Sequence, residues 1–218
     1  MILFEYPKQA NCQKIIPKET IYKHLEANSS LKNLFIRHID KITWKYKLSA
    51  ETININATDS VNEVQILEVI LKEQDFKLEI LQAIDEAIPS AIIFELIFAD
   101  NIKIVACHKK PSQNAGSKPT LSEYFCSNWL QNNQPKKSLP IVLNLEELYK
   151  QLLLPLLPYQ AKDNENLTSQ IARIGQIIAK EKIITKLEKK LANEKQFNRK
   201  VEINSEIRII KKEIEKLL

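Results

Sequence analysis

The acidic residues Glu68, Asp85 and Glu95 are the side chains of this chain whose types could do hydrolytic chemistry. Metal-dependent nucleases of the restriction type hold an acid and an acid-x-lysine motif on neighbouring strands, so that carboxylates bind a divalent ion and the lysine assists the attacking water. Asp85 or Glu68 could pair with Glu95 in this way, and Lys103 or Lys109 follows. No lysine stands two residues after Glu95, so the motif is incomplete. Metal-dependent cleavage therefore remains an alternative, and no catalytic residue is assigned.

The cysteines and histidines have no spacing that indicates a metal site. Cys12, Cys107 and Cys126 are far apart and lack the C-x-x-C spacing of zinc ligands, and no histidine stands at ligand spacing from a cysteine or a second histidine. Cys107 and His108 are neighbours, but adjacent residues of a strand point to opposite faces, which argues against a catalytic pair. We therefore expect that the cysteines are reduced thiols, that the protein is cytoplasmic and that it binds no metal.

Glycine is scarce, and this scarcity excludes several activities. The chain has two glycines, Gly116 and Gly175, whereas average usage predicts roughly fifteen for this length. Loops that cradle phosphates need several glycines for close backbone approach. A Walker loop, a dinucleotide fingerprint and a nucleophile elbow are therefore excluded, and we expect no cofactor.

The excess positive charge lies in the last quarter of the chain. Residues 162–218 hold 14 Lys and Arg against nine Asp and Glu, while the preceding residues balance at 18 against 18. This division predicts an α+β globular domain over residues 1–160 and a basic helical or coiled-coil segment over residues 161–218. No apolar run approaches the roughly 18 residues of a membrane span, so we expect no membrane partner.

The elements that must position these side chains follow from hydrophobic periodicity. One helix is predicted from Pro17 to Leu25, and a second follows with Ser29 or Ser30 as its cap. A third is predicted from Phe76 to Ile88 with Asp75 as its cap, and a fourth from Asn144, its cap, up to Pro155. Strands are predicted at 42–48, 52–56, 61–71, 92–98 and 102–107, and residues 124–130 form either a strand or an amphipathic edge segment.

Two details of these strands bear on the site. Strict alternation from Ile42 to Leu48 predicts that Trp44 and Tyr46 share a buried face and that Lys45 faces water. The dipeptide Asp100–Asn101 tolerates positive φ and predicts a tight hairpin turn. Residues 109–120 are predicted to form a loop rich in Pro, Gly and Ser, which is where disorder or a partner contact is expected.

The last segment is predicted to be an amphipathic helical hairpin or a coiled coil, with a break between Ala192 and Asn198. A helix with one apolar side needs a surface to cover it. The residues that we expect to bind a partner, or a second copy of the chain, are Phe197, Val201, Ile207, Ile210, Ile214 and Leu217. The Lys and Arg side chains of this segment either form a solvated face that pairs with the interleaved acids or contact nucleic acid.

Several stretches together resemble a known family. They are Ile16–Lys18, Ile42–Ser49, Glu63–Glu68, Ile84–Pro89 running into Ile92–Leu96, and Glu194–Asn204. The chain is similar, over nearly its whole length, to the bacterial and archaeal family called domain of unknown function 4391 (DUF4391). Members of that family are often encoded beside helicases and DNA methyltransferases of restriction or phage-defence type. The resemblance implies an accessory role in DNA-processing machinery and supplies no catalytic residue.

These observations predict an α+β protein with a mostly antiparallel sheet, packed helices and a C-terminal helical hairpin or coiled coil. The favoured function is a non-catalytic interaction subunit that docks a helicase or methyltransferase partner, or that self-associates through its C-terminal helices. The alternative is a metal-dependent nuclease or a DNA-binding module.

Overall fold

The computed structural model describes residues 3–110 and 119–218, and the predicted partner contact in the loop at 109–120 falls mostly outside these residues. The chain divides into two compact units, residues 1–157 and residues 158–218. The first unit, called the body below, contains the sheets and five of the helices in the described ranges. The second unit contains the two longest helices.

A mixed sheet forms the centre of the body. Its strands run in the order β2 (Asn11–Ile15), β3 (Ile39–Ser49), β4 (Glu63–Leu71), β5 (Ala91–Phe98), β6 (Asn101–Lys110) and β7 (Thr120–Cys126), and β8 (Leu130–Gln131) also pairs with β6. Every pairing in this sheet is antiparallel except that of β4 with β5. A second, two-stranded parallel sheet joins β1 (Phe4–Glu5) to β9 (Lys137–Ser138). The predicted α+β class with a mostly antiparallel sheet is confirmed.

Helices cover one face of the large sheet. They are α1 (Lys18–Leu25), α2 (Ser29–His38) and α4 (Leu78–Ala87), and α4 makes the crossover that the parallel pair β4 and β5 requires. Their buried residues Ile21, Phe35, Ile80 and Ile84 belong to one core cluster with Leu67 of β4 and Phe94 of β5. Because each fully buried Ile, Leu or Phe contributes about 1.5–3 kcal/mol, this cluster is a principal source of stability for the body.

Two further helices complete the body. The short α3 (Ala50–Ile53) follows β3, and α5 (Leu145–Leu153) lies against β4 and β6. The predicted cap of α5 is confirmed, because the Asn144 Oδ1 accepts a hydrogen bond from the Glu147 N–H at 2.9 Å. In contrast, Asn28 rather than Ser29 or Ser30 caps α2, and Lys77 rather than Asp75 precedes α4.

The predicted strand at Thr52–Asn56 is wrong, because this stretch begins inside α3. The Thr52 Oγ1 accepts from the Ser49 N–H at 3.0 Å and donates to the Lys47 carbonyl at 2.6 Å, which closes a helical turn. Asn54 then takes a left-handed conformation with φ of 55°, so the chain cannot continue as a strand. Alternation over five residues was too short a signal to compete with this local hydrogen bonding.

The hairpin of β5 and β6 is present, but its turn lies one residue earlier than predicted. Phe98 pairs with Asn101, so the turn residues are Ala99 and Asp100. The positive φ of 48° falls on Ala99 rather than on Asp100 or Asn101. The preference of Asp and Asn for left-handed backbone was therefore assigned to the wrong pair of positions.

The second unit is a helical hairpin of α6 (Leu167–Asn193) and α7 (Phe197–Leu217), separated by residues 194–196, and the predicted break is confirmed. The Asn166 Oδ1 caps α6 by accepting from the Ser169 N–H at 2.9 Å. Apolar side chains from both helices form one core cluster, which contains Ile184, Leu187 and Leu191 of α6 with Ile203, Ile207, Ile210 and Ile214 of α7.

Candidate functional site

The carboxylates of Glu68 and Glu95 lie side by side on neighbouring strands. Glu68 of β4 is the direct register partner of Glu95 of β5. The residues on either side of each glutamate point into the helix-covered core, so both glutamates point to the opposite face of the sheet. The structure thus places Glu68 and Glu95 next to each other on adjacent strands, as the nuclease alternative requires.

Lys45 occupies the space between these two carboxylates. Its Nζ lies 2.6 Å from Glu68 Oε2 and 3.0 Å from Glu95 Oε2, and the side chains of Lys45 and Glu95 are 18% and 4% exposed. Burial disfavours the charged ammonium, but Glu95 and Glu68 together outweigh that effect and raise the pKa of Lys45. The Lys45 ammonium is therefore held in its charged form between the two carboxyl groups inside the fold.

The prediction that Lys45 faces water is wrong, because the face of the sheet that carries Lys45, Glu68 and Glu95 is also covered. On this face α5 lies against β4 and β6, and the Glu95 side chain is 4% exposed. Trp44 pairs with Leu67 and Tyr46 with Ile66, which leaves Lys45 as an extra residue on β3. Trp44 then packs against the helix-covered core, whereas the Tyr46 ring contacts the Tyr6 ring at 4.9 Å. The expected shared face of Trp44 and Tyr46 is wrong because of the bulge that this extra residue forms in β3.

Asp85 lies in a different place and is neutralised by Lys109. The Lys109 Nζ is 2.7 Å from Asp85 Oδ1, and both side chains are at most 2% exposed. The same ammonium donates to the carbonyls of Asp85, Ile88 and Ser90 at 2.8–2.9 Å. Lys109 therefore ties the end of α4 and the start of β5 to β6, and the predicted partnership of Asp85 with Glu95 does not form.

Three other groups complete the surroundings of Asp85. The Tyr124 hydroxyl donates to Asp85 Oδ2, and the Cys107 Sγ lies 3.6 Å from the same oxygen. Burial raises the pKa of Asp85, and Lys109 with the Tyr124 hydroxyl pulls it back part of the way. Burial, followed by the Asp85 charge, raises the pKa of Cys107. A buried thiol held neutral in this way is a packing residue rather than a nucleophile.

The remaining candidates for chemistry are dispersed. Lys103 lies over the rings of Phe76 and Trp129, 5.7 Å from each centroid, and does not reach a carboxylate pair. His108 points away from the Cys107 thiol and stacks on Tyr149 at 6.2 Å. In the part of the chain that the structure describes, no group of three or more His, Cys, Asp or Glu side chains is placed to hold a metal ion.

The six residues predicted to bind a partner fall into two groups. Ile207, Ile210 and Ile214 pack against α6 within the hairpin, and the Leu217 carbonyl accepts a hydrogen bond from Arg173 at 3.1 Å. Phe197 and Val201 remain open to solvent, with 77% and 53% of their surface exposed. The hairpin thus covers most of the predicted stripe with its own first helix.

An exposed apolar segment of the body was missed. Ile141 is fully exposed and Leu143 is 89% exposed, in a stretch between β9 and α5 that belongs to no helix or strand. An open groove of about 560 Å³ lies beside it, lined by residues 140–144, Glu147 and Gln151. The signal available in the sequence was a run of three aliphatic residues between Pro140 and the capping residue Asn144.

The fold and these clusters define an α+β protein in which the buried lysines Lys45 and Lys109 are each paired with a carboxyl group. A family model matches residues 4–214, and its description is domain of unknown function (DUF4391). The chain therefore belongs to the DUF4391 family, as the resemblance indicated. No curated protein and no solved structure matches the chain. A membrane-crossing helix is not found within residues 3–110 and 119–218.

Proposed function

We propose that this protein is a cytoplasmic, non-catalytic interaction subunit that docks a protein partner of DNA-processing machinery. The observation that carries the proposal is the exposure of Ile141 and Leu143, which we call, with Pro140 and Val142, the apolar segment. Burial of each large aliphatic side chain would contribute about 1.5–3 kcal/mol, so a protein surface that covers both gains a substantial part of a binding energy.

The backbone of the apolar segment also supports docking. Residues 140–142 take part in none of the described backbone hydrogen bonds, and a parallel bridge between Asn56 and Asn144 lies just after this stretch. An extended strand of a partner could pair with such a segment, because main-chain hydrogen bonds supply affinity while side chains in neighbouring pockets supply specificity. The groove beside α5 offers space for that strand.

The paired interior charges support a role without catalysis. Lys45 lies between Glu68 and Glu95, and Lys109 is paired with Asp85. A nuclease of the restriction type needs its two carboxylates free to bind a divalent ion. Here an ammonium group takes the position between the carboxylates, so the geometry favours a structural role for these acids.

The link to DNA-processing machinery rests on the family. Members of the DUF4391 family are often encoded beside helicases and DNA methyltransferases of restriction or phage-defence type. A helicase or methyltransferase subunit is therefore the partner that we propose, and a second copy of this chain is the other occupant to be tested.

The test mixes the purified full chain with each helicase or DNA methyltransferase found to be encoded beside its gene and measures complex mass by light scattering after size exclusion. We expect a complex with one of them, which is lost when Ile141 and Leu143 are both changed to Ser. The matched control changes Ile15 and Ile36 to Ser, because these isoleucines are 65% and 58% exposed elsewhere on the body. A complex that survives loss of the apolar segment, or no complex at all, would contradict the proposal.

A further inference from the structure

Positive charge within the helical hairpin is concentrated where its two helices meet. Residues 186–200, called the hairpin tip below, contain six bases and two acids, whereas the whole of residues 162–218 contains 14 bases and nine acids. All six bases are exposed. They are Lys186, Lys189, Lys190, Lys195, Arg199 and Lys200. The tip therefore carries almost all of the net charge of the hairpin.

In the described part of the chain, the two acids of the tip form no ion pair with these six bases. The Glu188 Oε1 lies 3.8 Å from the Nζ of Lys211, which is outside the tip. The Glu194 Oε1 accepts hydrogen bonds from the backbone N–H groups of Lys195 and Gln196 at 2.8 and 2.9 Å. The backbone N–H groups of Gln196 and Lys195 lower the pKa of Glu194, and the charges of Arg199 and Lys190 add to this shift. Within the described residues, none of the six basic side chains has a carboxylate within 4.0 Å.

Three bases outside the tip, Arg173, Lys180 and Lys211, are paired with acids. Arg173 lies 2.7 Å from Glu165, and Lys180 lies 2.5 Å from Glu213. The end of α6 and the start of α7 meet at the tip with opposite dipoles, so the positive potential comes from the side chains. Six unpaired cations crowded on one short tip repel one another, and this repulsion is relieved when an anionic ligand binds.

An exposed aromatic ring lies among these cations. Phe197 is the first residue of α7 and is 77% exposed, and Val201 follows one turn later. A planar apolar ring surrounded by basic side chains is the combination that binds single strands, because the cations contact phosphates while an unpaired base stacks on the ring. The bases of a duplex are stacked within the helix and cannot use the ring in this way.

We infer that the hairpin tip is a binding site for single-stranded nucleic acid, with its six bases on backbone phosphates and Phe197 stacked on a base. This site is formed by other residues than the apolar segment, and the inference does not depend on the proposed protein partner. In this arrangement the phosphates bind the basic side chains of the tip, and a nucleobase covers the exposed ring of Phe197.

The test measures fluorescence anisotropy of a labelled oligothymidine of about 30 nucleotides with the full chain. Between about 50 and 200 mM salt, six phosphate contacts predict a slope of log K against log salt near −4. Changing Lys189, Lys190 and Arg199 to Gln should bring the slope to about −2 and weaken binding at least tenfold at the lower salt concentration. Phe197→Leu should weaken binding of the oligothymidine about tenfold and leave binding of a duplex unchanged.

The matched control changes Arg208, Lys212 and Lys216 to Gln, which removes the same charge from exposed positions of α7 outside the tip. This control should bind the oligothymidine within about twofold of the unaltered chain, since it removes only distant, screened charge. Equal losses in the two triple variants would show that net charge alone attracts the oligonucleotide and would overturn the inference. A Phe197→Leu variant that binds normally would also overturn it, and loss of the protein complex instead would assign the tip to a protein interface.

Discussion

The lysines of the body and those of the hairpin tip have the same chemistry but opposite surroundings. Lys45 and Lys109 are largely buried, and each has a carboxylate oxygen within 3.0 Å. The six bases of the tip are exposed, and within the described residues no carboxylate reaches them. A paired, buried lysine holds the fold together, whereas an unpaired, exposed lysine is available to a ligand. The surroundings of a lysine thus distinguish a residue that stabilises the fold from a residue that can bind a ligand, in a chain without a catalytic motif.

The comparison also shows why formal charge is a poor guide to role. The Lys45 ammonium is counted as one positive charge, yet it is cancelled by two carboxylates at hydrogen-bonding distance. Exposed ion pairs contribute about 0–1 kcal/mol, whereas removal of one partner of a buried pair costs about 3–5 kcal/mol. We therefore expect substitution of a buried lysine of the body to change the free energy of unfolding more than substitution of an exposed base of the tip.

The largest effect is expected for Lys109→Met. This change leaves the buried Asp85 carboxylate without its ion pair and removes the donor to three carbonyls. We expect a loss of about 3–5 kcal/mol in the free energy of unfolding, measured by urea denaturation. Lys110→Met, one residue later and exposed, is the control and should change little. A loss below about 1 kcal/mol for Lys109→Met would show that the pair is not structural.

A second variant separates charge from hydrogen bonding at the same place. Asp85→Asn combined with Lys109→Met removes both charges and should recover part of the stability, because no buried charge remains unpaired. Full recovery is not expected, since the carbonyls of Ile88 and Ser90 lose the ammonium that they accept from.

A smaller effect is expected for Lys45→Met, because the Lys45 and Glu68 side chains keep some contact with water at 18% and 21% exposure. The change leaves Glu68 and Glu95 facing each other, and we expect a loss of about 2 kcal/mol near neutral pH. Protonation of one carboxylate removes the repulsion, so the loss should shrink as the pH falls. The exposed Lys41 of the same strand, changed to Met, is the control. A loss independent of pH would point to packing rather than charge.

Much of the fold could be predicted because hydrophobic period is a local property. The helices α4 to α7 and the strand β3 follow runs with a period of about 3.6 or 2, and β4 and β5 follow short apolar runs rich in β-branched residues. The bulge at Lys45 could not be predicted, since a single extra residue leaves the composition of the strand unchanged and only pairing with β4 reveals it. The bulge moves Tyr46 off the face of Trp44, whereas the burial of Lys45 depends on what covers the opposite face of the sheet, so the central charge cluster was hidden from sequence reasoning.

The candidate binding surfaces could not be predicted for a similar reason, because the spacing of apolar residues does not say what will cover them. A stripe at i, i+4 and i+7 is equally suited to a partner helix and to a helix of the same chain, so Ile207 and Ile214 gave no means of choosing. Contact with α6 covers them, while Phe197 stays exposed. The exposure of Ile141 and Leu143 depends on what packs beside them, which no residue spacing expresses.

A pH-dependent effect is expected in the hairpin unit. The hydrogen bonds from Arg173 lower the pKa of Glu165 to about 2, from an ordinary value of 4.5. A carboxyl whose pKa is lower in the folded state stabilises the fold above its ordinary pKa, and this contribution is lost as the pH falls from about 4.5 to about 2. The melting temperature of Glu165→Gln, followed by circular dichroism, should lie below that of the unaltered chain at pH 7 and approach it at acidic pH. A constant difference across this range would contradict the ion pair.

The smallest expected effect is that of magnesium or manganese on the unaltered chain, which should shift the melting temperature little and should not promote nicking of plasmid DNA. A ligand that binds the folded state at 100 times its Kd stabilises it by about 2.7 kcal/mol, so even moderate binding would be visible. The Lys45 ammonium lies between Glu68 and Glu95, where a divalent ion would have to bind. A shift in Lys45→Met but not in the unaltered chain would show that the lysine fills a cation position. Divalent-dependent nicking that is lost in Glu95→Ala would instead establish the nuclease alternative and refute the non-catalytic role.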